Sequence, residues 1–418
     1  NIAADHNQLV METMKRVAGK HGLRCLLHEK PFAGVNGSGK HNNWSLSSDT
    51  GLNMLEPGVT PHENIQFLLV LACIVKAVDT HADLLRQSAA VPGNDHRLGA
   101  HEAPPAIISM FVGDQLEDVI NQLCCTGIAR ASKGGGTVKT GVTTLADFDQ
   151  DTTDRNRTSP FAFTTNKFEF RMVGSSDSVS AANVVLNTIV AEAFKEAADK
   201  LEKAEDFEMA VHDMIKDLLE KHRRIIFNGN GYTQEWVEEA ERRGLPNLKC
   251  MVDAIPALAT DKAIKLFTSF GVYTEAELRA RVVIEYEAYV KTIHVEAKTM
   301  LDMAGKQIIP AVIRYTTYMA QSITAIQKAC PYADVSVQTD LLMEMSKLLG
   351  EMKAAMNEIE KNLETSASFK DMEKCAHYYY DAIVPAMNRL REPADKLELL
   401  VDKSYWPFPC YGDMIFEV

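Results

Sequence analysis

The sequence has few cysteines, no long apolar run and no excess of positive charge, and each absence excludes a class of protein. The eight cysteines among 418 residues form no C-x-x-C pair. The simplest interpretation is a set of reduced, mostly buried thiols in a cytoplasmic protein. No stretch of about 18 consecutive apolar residues occurs, so we expect no membrane-spanning helix.

The charge balance is acidic. Lysine and arginine number 44 against 57 aspartates and glutamates, which gives a formal net charge of -13 at pH 7. A surface of this sign repels a phosphate backbone, and it argues against a nucleic-acid partner. An acidic net charge is still compatible with a local basic pocket for a small anion.

The two halves of the chain have different patterns. The first half mixes helical spacing and Gly/Pro loops with one period-2 segment, in which Phe168, Phe170 and Met172 alternate with charged residues. From about Asn183 onward, Ala, Glu, Lys, Leu and Met recur at helical spacing. The pattern predicts an α+β chain, with a sheet-bearing part over residues 1–200 and a helical part over residues 201–418.

Local signals predict where several helices lie and end. The apolar run Phe67 to Val75 has the length of a core helix. Thr274 and Glu277 have the spacing of a capping box at the start of a long helix. Pro310 and Pro385 lie inside helical patterns, and each should kink or interrupt its helix.

The stretch Gly34 to Ser45 reads GVNGSGKHNNWS and looks at first like a phosphate loop. Gly34, Gly39 and Lys40 fit the G-x-x-x-x-G-K spacing. The next residue is His41, whereas a phosphate loop needs a Ser or Thr whose hydroxyl binds magnesium. The residues after Lys40 also have loop or strand composition rather than that of a helix start, so we reject this interpretation.

The same loop contains residues that suit a different kind of binding site. Asn36 and Gly37 offer an amide side chain and an unshielded backbone, which suit the binding of an α-amino acid. His41 offers an imidazole that suits a divalent metal. A lone histidine in a glycine-rich loop indicates little, and the hypothesis depends on two further segments.

The second segment is HRLGAHEAPPA, in which Arg97 precedes Glu102 by five residues on a loop bounded by Gly and Pro. A mobile loop with one carboxylate can close over a site and shield a reactive intermediate from water.

The third segment concentrates positive charge in an acidic protein. Arg155, Arg157, Lys167 and Arg171 lie within seventeen residues. On the predicted strand, Glu169 lies between two of these cations and on the same face. Two interpretations stay open: a salt-bridge network, or a Glu169 that binds metal while the cations bind phosphate.

These three segments, in this order, resemble those of glutamine synthetases. The family's N-G-S-G-x-H loop is matched by Asn36 to His41, and its E-A-P segment by Glu102 to Pro104, after Arg97. Its N-R-[ST] segment is matched by Asn156 to Thr158, and its E-x-R strand by Glu169 to Arg171. The stretch HEKPFAGVNGSGKHNNWS and the long helical extension resemble most those of the type III branch.

The resemblance implies a fold and an activity. The fold would be the C-terminal part of the glutamine synthetase catalytic domain, an antiparallel sheet with helices, followed by a large helical region. The activity would be ATP-dependent ligation of ammonium to L-glutamate through γ-glutamyl phosphate. A cytoplasmic homo-oligomer, built as a double-ring dodecamer, is implied as well.

The resemblance also implies substrate and metal ligands. Asn36 and Gly37 would hold the glutamate, and Arg97 would bind its carboxylate. His41 and Glu169 would be ligands of the second, nucleotide-associated divalent metal, Mg²⁺ or Mn²⁺.

Further roles are implied for the transfer chemistry. Glu102 would shield the intermediate and help to take a proton from ammonium. Arg157 and Arg171 would stabilise the transferring phosphate. Ser45 and Lys167 would contact ATP, together with Arg157.

The sequence departs from the family pattern in several places. Many relatives carry a histidine where this chain has Asn43, and an arginine where it has Ala162. The arginine loop is one residue shorter than the common form. The carboxylates of the first metal site and a small N-terminal β domain lie upstream of Asn1 in the family, so we expect this chain to be part of a longer protein.

Two rival functions stay open. One is a different enzyme on the same scaffold, either another γ-glutamyl–amine ligase or a guanidino kinase, because the substrate residues do not identify the nucleophile. The other is a non-catalytic subunit, against which the retained His41, Glu102 and Glu169 argue. The segment Ile225 to Tyr232, IIFNGNGY, is predicted as a turn between helices, and a ligand role for it is also open.

Overall fold

The computed structural model describes residues 2–23, 25, 27–28, 30, 32, 34–99, 103–131, 137–138, 148–149, 158–409 and 413. The chain forms two compact units. Leu27–Val282 is called the sheet unit below, and Asn1–Leu26 with Val283–Val418 is called the terminal unit. All candidate site residues belong to the sheet unit. The division predicted at residue 200 concerns the domains of the family and stays a prediction.

Short strands form two small sheets in the sheet unit. The strands are β1 (Asn42–Trp44), β2 (Met110–Phe111), β3 (Thr137–Val138), β4 (Phe148–Asp149), β5 (Phe161–Thr164) and β6 (Lys167–Phe170). The larger sheet has the order β1-β6-β5-β2, and β3 pairs with β4 in the smaller one. A strand rather than a helix follows Lys40, which agrees with the rejection of a phosphate loop.

Helices make up most of the described residues in both units. They are α1 (Ile2–Lys20), α2 (Ile65–Thr80), α3 (Ala82–Gln87), α4 (Pro92–Asp95), α5 (Asp114–Thr126), α6 (Ser180–Leu201), α7 (Phe207–His222), α8 (Gln234–Arg242), α9 (Met251–Ala254), α10 (Asp261–Ser269), α11 (Glu275–Met303), α12 (Ile309–Ala329), α13 (Ser336–Ser366), α14 (Met372–Tyr378) and α15 (Val384–Leu400). In the part of the chain that the structure describes, no helix is both long and apolar enough to cross a membrane.

The α+β class is confirmed, but the expectation of an antiparallel sheet is wrong for one strand. β1, β6 and β5 are antiparallel neighbours, whereas β2 pairs with β5 in parallel. A parallel pair needs a crossover connection, because the chain must return to the same end of the sheet before it pairs again. Helix α5 follows β2 and begins that connection.

Strand β6 confirms the period-2 prediction. Phe168 and Phe170 are fully buried, and Phe161 stacks on Phe168 with ring centroids 4.6 Å apart. Glu169 and Arg171 alternate with these rings, as successive residues of a strand must. Both charged residues are nevertheless buried, at 7% and 4% exposure. The charged face of the strand is therefore covered by other parts of the sheet unit.

Helix α2 lies in the core of the sheet unit and contains the predicted run Phe67 to Val75. Nearly every residue of that run is buried, and α6 and α7 pack on the helix. A helix that is apolar on all sides is stable in water only when neighbours cover it. Its start is capped by Asn64, whose Oδ1 accepts a hydrogen bond of 3.0 Å from Phe67 N.

The two prolines predicted to interrupt helices each follow a widened turn. π-Helical turns span Ala304–Ile308 and Tyr379–Ile383, and α12 and α15 begin directly after them. Pro310 and Pro385 lie in the first turns of those two helices. Proline has no N–H to donate, and its ring clashes with the carbonyl four residues earlier. A π-helical turn before the proline changes that hydrogen-bonding pattern and relieves the clash.

The predicted capping box marks the start of α11. Thr274 N donates to Glu277 Oε2 at 2.7 Å, and Glu277 N donates to Thr274 Oγ1 at 3.3 Å. These reciprocal bonds satisfy N–H groups that have no partner within the helix. The prediction is confirmed.

The seven cysteines that the structure describes are all free thiols. Cys73, Cys250 and Cys375 are buried, and burial raises the pKa of Cys73 to about 11. Cys125 and Cys330 are exposed. The expectation of mostly buried thiols is therefore met by only some of them.

Candidate active site

His41, Glu169 and Arg171 meet at one end of the β1–β6 ladder, where Glu169 and Arg171 are buried and His41 is exposed. The register of β1 and β6 places Asn43 opposite Glu169, which brings His41 close to Arg171. His41 Nδ1 lies 3.6 Å from Glu169 Oε2. Arg171 donates to the same oxygen through Nε at 3.1 Å and Nη2 at 3.0 Å. The ion pair expected of a salt-bridge network is thus present, and so is a histidine beside the same carboxylate.

The His41–Glu169 pair has some of the features of a metal site. The His41 side chain is 57% exposed, so the pair is open on one side, while Glu169 is held in place by Arg171. An imidazole nitrogen and a carboxylate oxygen are both ligands for first-row divalent metals. Within the described residues, no group of three or more His, Cys, Asp or Glu side chains converges. The pair fits a divalent cation in the type of its atoms, and it could supply two ligands of a larger set.

A bulge follows β6 and sets the backbone at Arg171. Asn42 pairs with Phe170, whereas Gly39 pairs with Gly174, so the β6 side carries one residue more than the β1 side. Such an extra residue disrupts the ladder locally and turns the strand. Val173 O still accepts a hydrogen bond of 2.9 Å from Lys40 N, but the carbonyl groups of Arg171 and Met172 must find partners outside a regular ladder.

Two buried side chains supply those partners. Arg97 donates through Nη2 to Arg171 O at 3.0 Å and through Nη1 to Met172 O at 3.1 Å. Asn94 Nδ2 donates to Met172 O at 2.6 Å, and its Oδ1 accepts a bond of 3.1 Å from Arg97 Nη1. Asn94 is fully buried and Arg97 is 4% exposed. Together they hold the bulge that carries Arg171.

Asn94 is a residue that the sequence analysis missed. It lies in the stretch VPGND, where an asparagine is an ordinary turn residue. Its importance comes from burial and from contact with a strand 78 residues later, through Met172. No local signal in the sequence indicates such a contact.

Gly39 brings the glycine-rich loop onto Arg97. A Cβ atom at position 39 would lie 2.9 Å from Arg97 Nε and closer still to Cζ and Nη2. Only a glycine leaves room for the guanidinium at this point. Asn36 is exposed and Gly37 is half-buried in the same loop, which places the predicted glutamate-binding segments next to each other.

The loop that contains Glu102 has well-defined ends, although Glu102 itself lies outside the described residues. Gly99 N donates to Pro104 O at 2.9 Å and closes the base of the loop. Gly99 has a φ of +99°, a conformation that favours glycine. Ala103 is 1% exposed, so the chain is buried directly after the loop.

Arg157 also lies outside the described residues, and the structure describes the chain from Thr158 onward. Ser45 and Lys167 lie at the other end of the β1–β6 ladder from His41. Ser45 Oγ lies within hydrogen-bond distance of Asn53 Oδ1, at 3.0 Å, and of Asn166 O, at 3.2 Å, directly before Lys167. The predicted nucleotide-binding residues and the His41–Glu169 pair thus lie along one pair of strands.

Asp95 joins the Arg97 segment to Met251 and Arg86. Its two carboxylate oxygens accept from Met251 N at 2.9 Å and 3.0 Å, and Oδ1 lies 3.9 Å from Nη2 of the buried Arg86. Arg86 Nε donates to Leu248 O at 2.9 Å. Burial raises the pKa of Asp95 to about 7, although the Met251 N–H and Arg86 both act to lower it.

We expect Asp95→Asn to change stability in a pH-dependent way. The folded protein holds the Asp95 proton up to a pKa of about 7, whereas the reference value is 3.8. The folded state therefore binds more protons between these values, and the contribution of Asp95 to the free energy of unfolding falls as pH rises through this window. Asparagine does not titrate. The Tm of the variant minus that of the wild type should therefore be larger at about pH 8 than at about pH 5.

Thermal unfolding followed by circular dichroism checks this expectation. Asp217→Asn is the matched control, because Asp217 lies in an exposed helical pair with Lys221 and should show little change in the same difference. A Tm difference for Asp95→Asn that is constant across the pH range would contradict the raised pKa.

Comparison with known proteins identifies relatives of the chain. The model of the glutamine synthetase catalytic domain matches residues 2–80, and the model of the glutamine synthetase C-terminal domain matches residues 210–327. A type-3 glutamine synthetase of Dictyostelium discoideum is 43% identical over the whole chain and 57% of its own length. Glutamine synthetases of Butyrivibrio fibrisolvens (42% identical, 60% of its length) and Bacteroides fragilis strain YCH46 (36%, 58%) also match the whole chain. The chain spans a little over half the length of these relatives.

Proposed function

Because this chain belongs to the glutamine synthetase family and resembles its type III branch, we propose that the protein uses ATP to ligate ammonium to L-glutamate, giving L-glutamine. The observation that carries this proposal is the meeting of His41, Glu169 and Arg171 at one end of the β1–β6 ladder. The chain spans only part of its relatives, so the activity is proposed for the whole protein.

The proposed reaction begins with activation of the glutamate side chain. A carboxylate is a poor electrophile, because its negative charge repels nucleophiles and it has no good leaving group. Phosphoryl transfer from ATP would give γ-glutamyl phosphate, whose phosphate can leave. We assign to Arg171, held in place by Glu169, and to Arg157 the role of offsetting charge on the phosphoryl group. His41 and Glu169 would hold Mg²⁺ or Mn²⁺, which supplies positive charge next to the nucleotide phosphates when bound.

Further residues of the proposal handle the amine and exclude water. We assign Glu102 to a loop that covers the acyl phosphate and helps to take a proton from ammonium. The closed base of that loop, at Gly99 and Pro104, supports this role. Ammonia would then attack the acyl carbon, and phosphate would leave with the electron pair of the C–O bond.

The substrate residues are proposed on the resemblance. Asn36 and Gly37 would hold the glutamate, and Arg97 would bind its carboxylate. Because Arg97 also donates to carbonyls of the bulge, it has a second role in placing Arg171. Ser45 and Lys167 would contact the nucleotide.

We also propose the assembly and the cellular setting from the type III resemblance. The whole protein would be a homo-oligomer, built as a double-ring dodecamer, in the cytoplasm. The net charge of -13 supports the expectation of no nucleic-acid partner.

The full-length protein tests the proposed activity directly. Phosphate release from Mg-ATP should require both glutamate and ammonium, and glutamine should appear in equal amount. Glutamate alone and ammonium alone are the controls. Release that needs another amine in place of ammonium would replace the proposal with a γ-glutamyl–amine ligase. Absence of release with every amine would contradict an enzymatic function.

A further inference from the structure

The segment Ile226–Tyr232, here called the clamp segment, is fixed to the edge of the larger sheet. Ile226 forms a parallel bridge with Met110, and Phe227 N donates to Met110 O at 2.9 Å. The Phe227 ring stacks on Trp236 with centroids 3.7 Å apart. The segment predicted as a turn therefore extends the sheet beside β2.

Asn228 fixes the middle of the clamp segment. Its Oδ1 accepts from Val112 N at 3.0 Å and from Gly113 N at 3.2 Å, while its Nδ2 donates to Glu117 Oε2 at 2.8 Å. One side chain thus joins the clamp segment to the end of β2 and the start of α5. Segments held by several independent contacts make rigid supports for neighbouring loops.

The far end of the clamp segment lies beside described residues that adjoin both loops of the proposed reaction. Gly231 N donates to Thr158 Oγ1 at 2.8 Å. A Cβ atom at position 231 would lie 3.0 Å from Thr158 O and 3.5 Å from Pro105 Cγ. Thr158 follows Arg157 directly, and Pro105 follows Glu102 by three residues. Gly231 is therefore bonded to the described residue next to the Arg157 segment, and the room beside its Cα is bounded by Pro105, a described residue next to the Glu102 loop.

We propose that Gly231 is a positioning residue that holds Pro105 and Thr158 in register. These two residues are here called the roots of the Glu102 loop and of the Arg157 segment. This inference rests on the proposed function, in which one loop excludes water while the other stabilises the transferring phosphate. Both tasks concern the same acyl phosphate, so the two roots must keep a fixed separation. Small misplacements of reacting groups lower rates steeply.

The test is Gly231→Ala in the full-length protein. The added methyl group would crowd Thr158 O at 3.0 Å while it lies at ordinary van der Waals distance, 3.5 Å, from Pro105 Cγ, so Thr158 must move relative to the clamp segment and to Pro105. We expect kcat for glutamine formation to fall about 10- to 100-fold. More than one phosphate should be released per glutamine, because the acyl phosphate then meets water. Thr158→Val, which keeps the shape but removes the acceptor for Gly231 N, should change both quantities in the same direction.

Gly350→Ala is the matched control, because it adds the same methyl group on α13, where no atom lies within 4 Å of the new Cβ. It should keep the wild-type ratio of phosphate to glutamine. A folded Gly231→Ala variant with the wild-type kcat and ratio would overturn the inference. A lower kcat with a lower Tm and an unchanged ratio would also overturn it, because that result indicates a general loss of stability.

A second measurement separates this inference from the proposed function. Hydrogen exchange of the backbone amides over residues 103–110 and 158–164 does not depend on catalysis. Exchange should be faster in both segments of Gly231→Ala than in Gly350→Ala. Unchanged exchange in either segment would overturn the proposed role of Gly231. A wild-type protein that makes no glutamine would overturn the proposed function and leave this structural test intact.

Discussion

Replacing Glu169 with Gln in the full-length protein should lower glutamine formation about 100-fold or more. Glutamine keeps the size of the side chain and removes the charge that pairs with Arg171 and that would bind metal beside His41. Arg171 would stay buried without its counter-charge, so Tm should fall as well. The metal requirement is the more specific readout, because one of the two proposed metal ligands is altered. The concentration of Mg²⁺ or Mn²⁺ needed for half-maximal rate should rise about 10- to 100-fold.

Glu192→Gln is the matched control for that variant. Glu192 Oε2 lies 2.7 Å from Nε2 of the buried His81, which is another histidine–glutamate pair in the sheet unit. Its loss should lower Tm while most of the activity and the wild-type metal requirement remain. Equal loss of activity in both variants would show that the effect comes from the fold. An unchanged metal requirement in Glu169→Gln would contradict the assignment of Glu169 as a ligand.

Gly39→Ala should destabilise the protein by about 1–3 kcal/mol, because it inserts a methyl group into a filled space. The new Cβ would overlap the Arg97 guanidinium. Arg97 cannot move without cost, since it is 4% exposed and donates to the carbonyls of Arg171 and Met172. Urea unfolding of wild type and variant measures the difference in free energy. Activity should fall together with stability, because Arg97 places Arg171.

A double-variant cycle identifies the cause of that destabilisation. Lysine at position 97 lacks the planar guanidinium, so Gly39→Ala should cost less in an Arg97→Lys background than in the wild type. Gly19→Ala on α1, where the added Cβ meets no atom within 4 Å, is the control and should not destabilise. The same cost for Gly39→Ala in both backgrounds would show that Arg97 is not the group it meets.

Local patterns in the sequence predicted the elements that depend on local rules. The alternation around Phe168 and Phe170 gives β6, and the apolar run from Phe67 gives α2, because strand and helix periods are properties of neighbouring residues. The capping box at Thr274 and the interruption before Pro310 follow from backbone groups within a few residues. His41, Glu169 and Arg171 were candidates from their residue types, and the resemblance then gave them roles.

The parallel pairing of β2 and the support of the site could not be predicted in this way. Both depend on contacts between residues that are far apart in the chain. The clamp segment looked like a turn, and only its contact with Thr158, 73 residues earlier, suggests a role in the site.

The sequence by itself determined which side chains are proposed for the chemistry and the periods of the elements that carry them. The tertiary structure decided that the charged strand face is covered and that the bulge after β6 needs outside partners. Arg97 reaches Arg171 O across 74 residues, and Asn94 reaches Met172 O across 78. Buried carbonyl groups must be hydrogen-bonded wherever the fold leaves them. Which residue supplies the bond depends on the packing of distant segments, and local spacing contains no information about it.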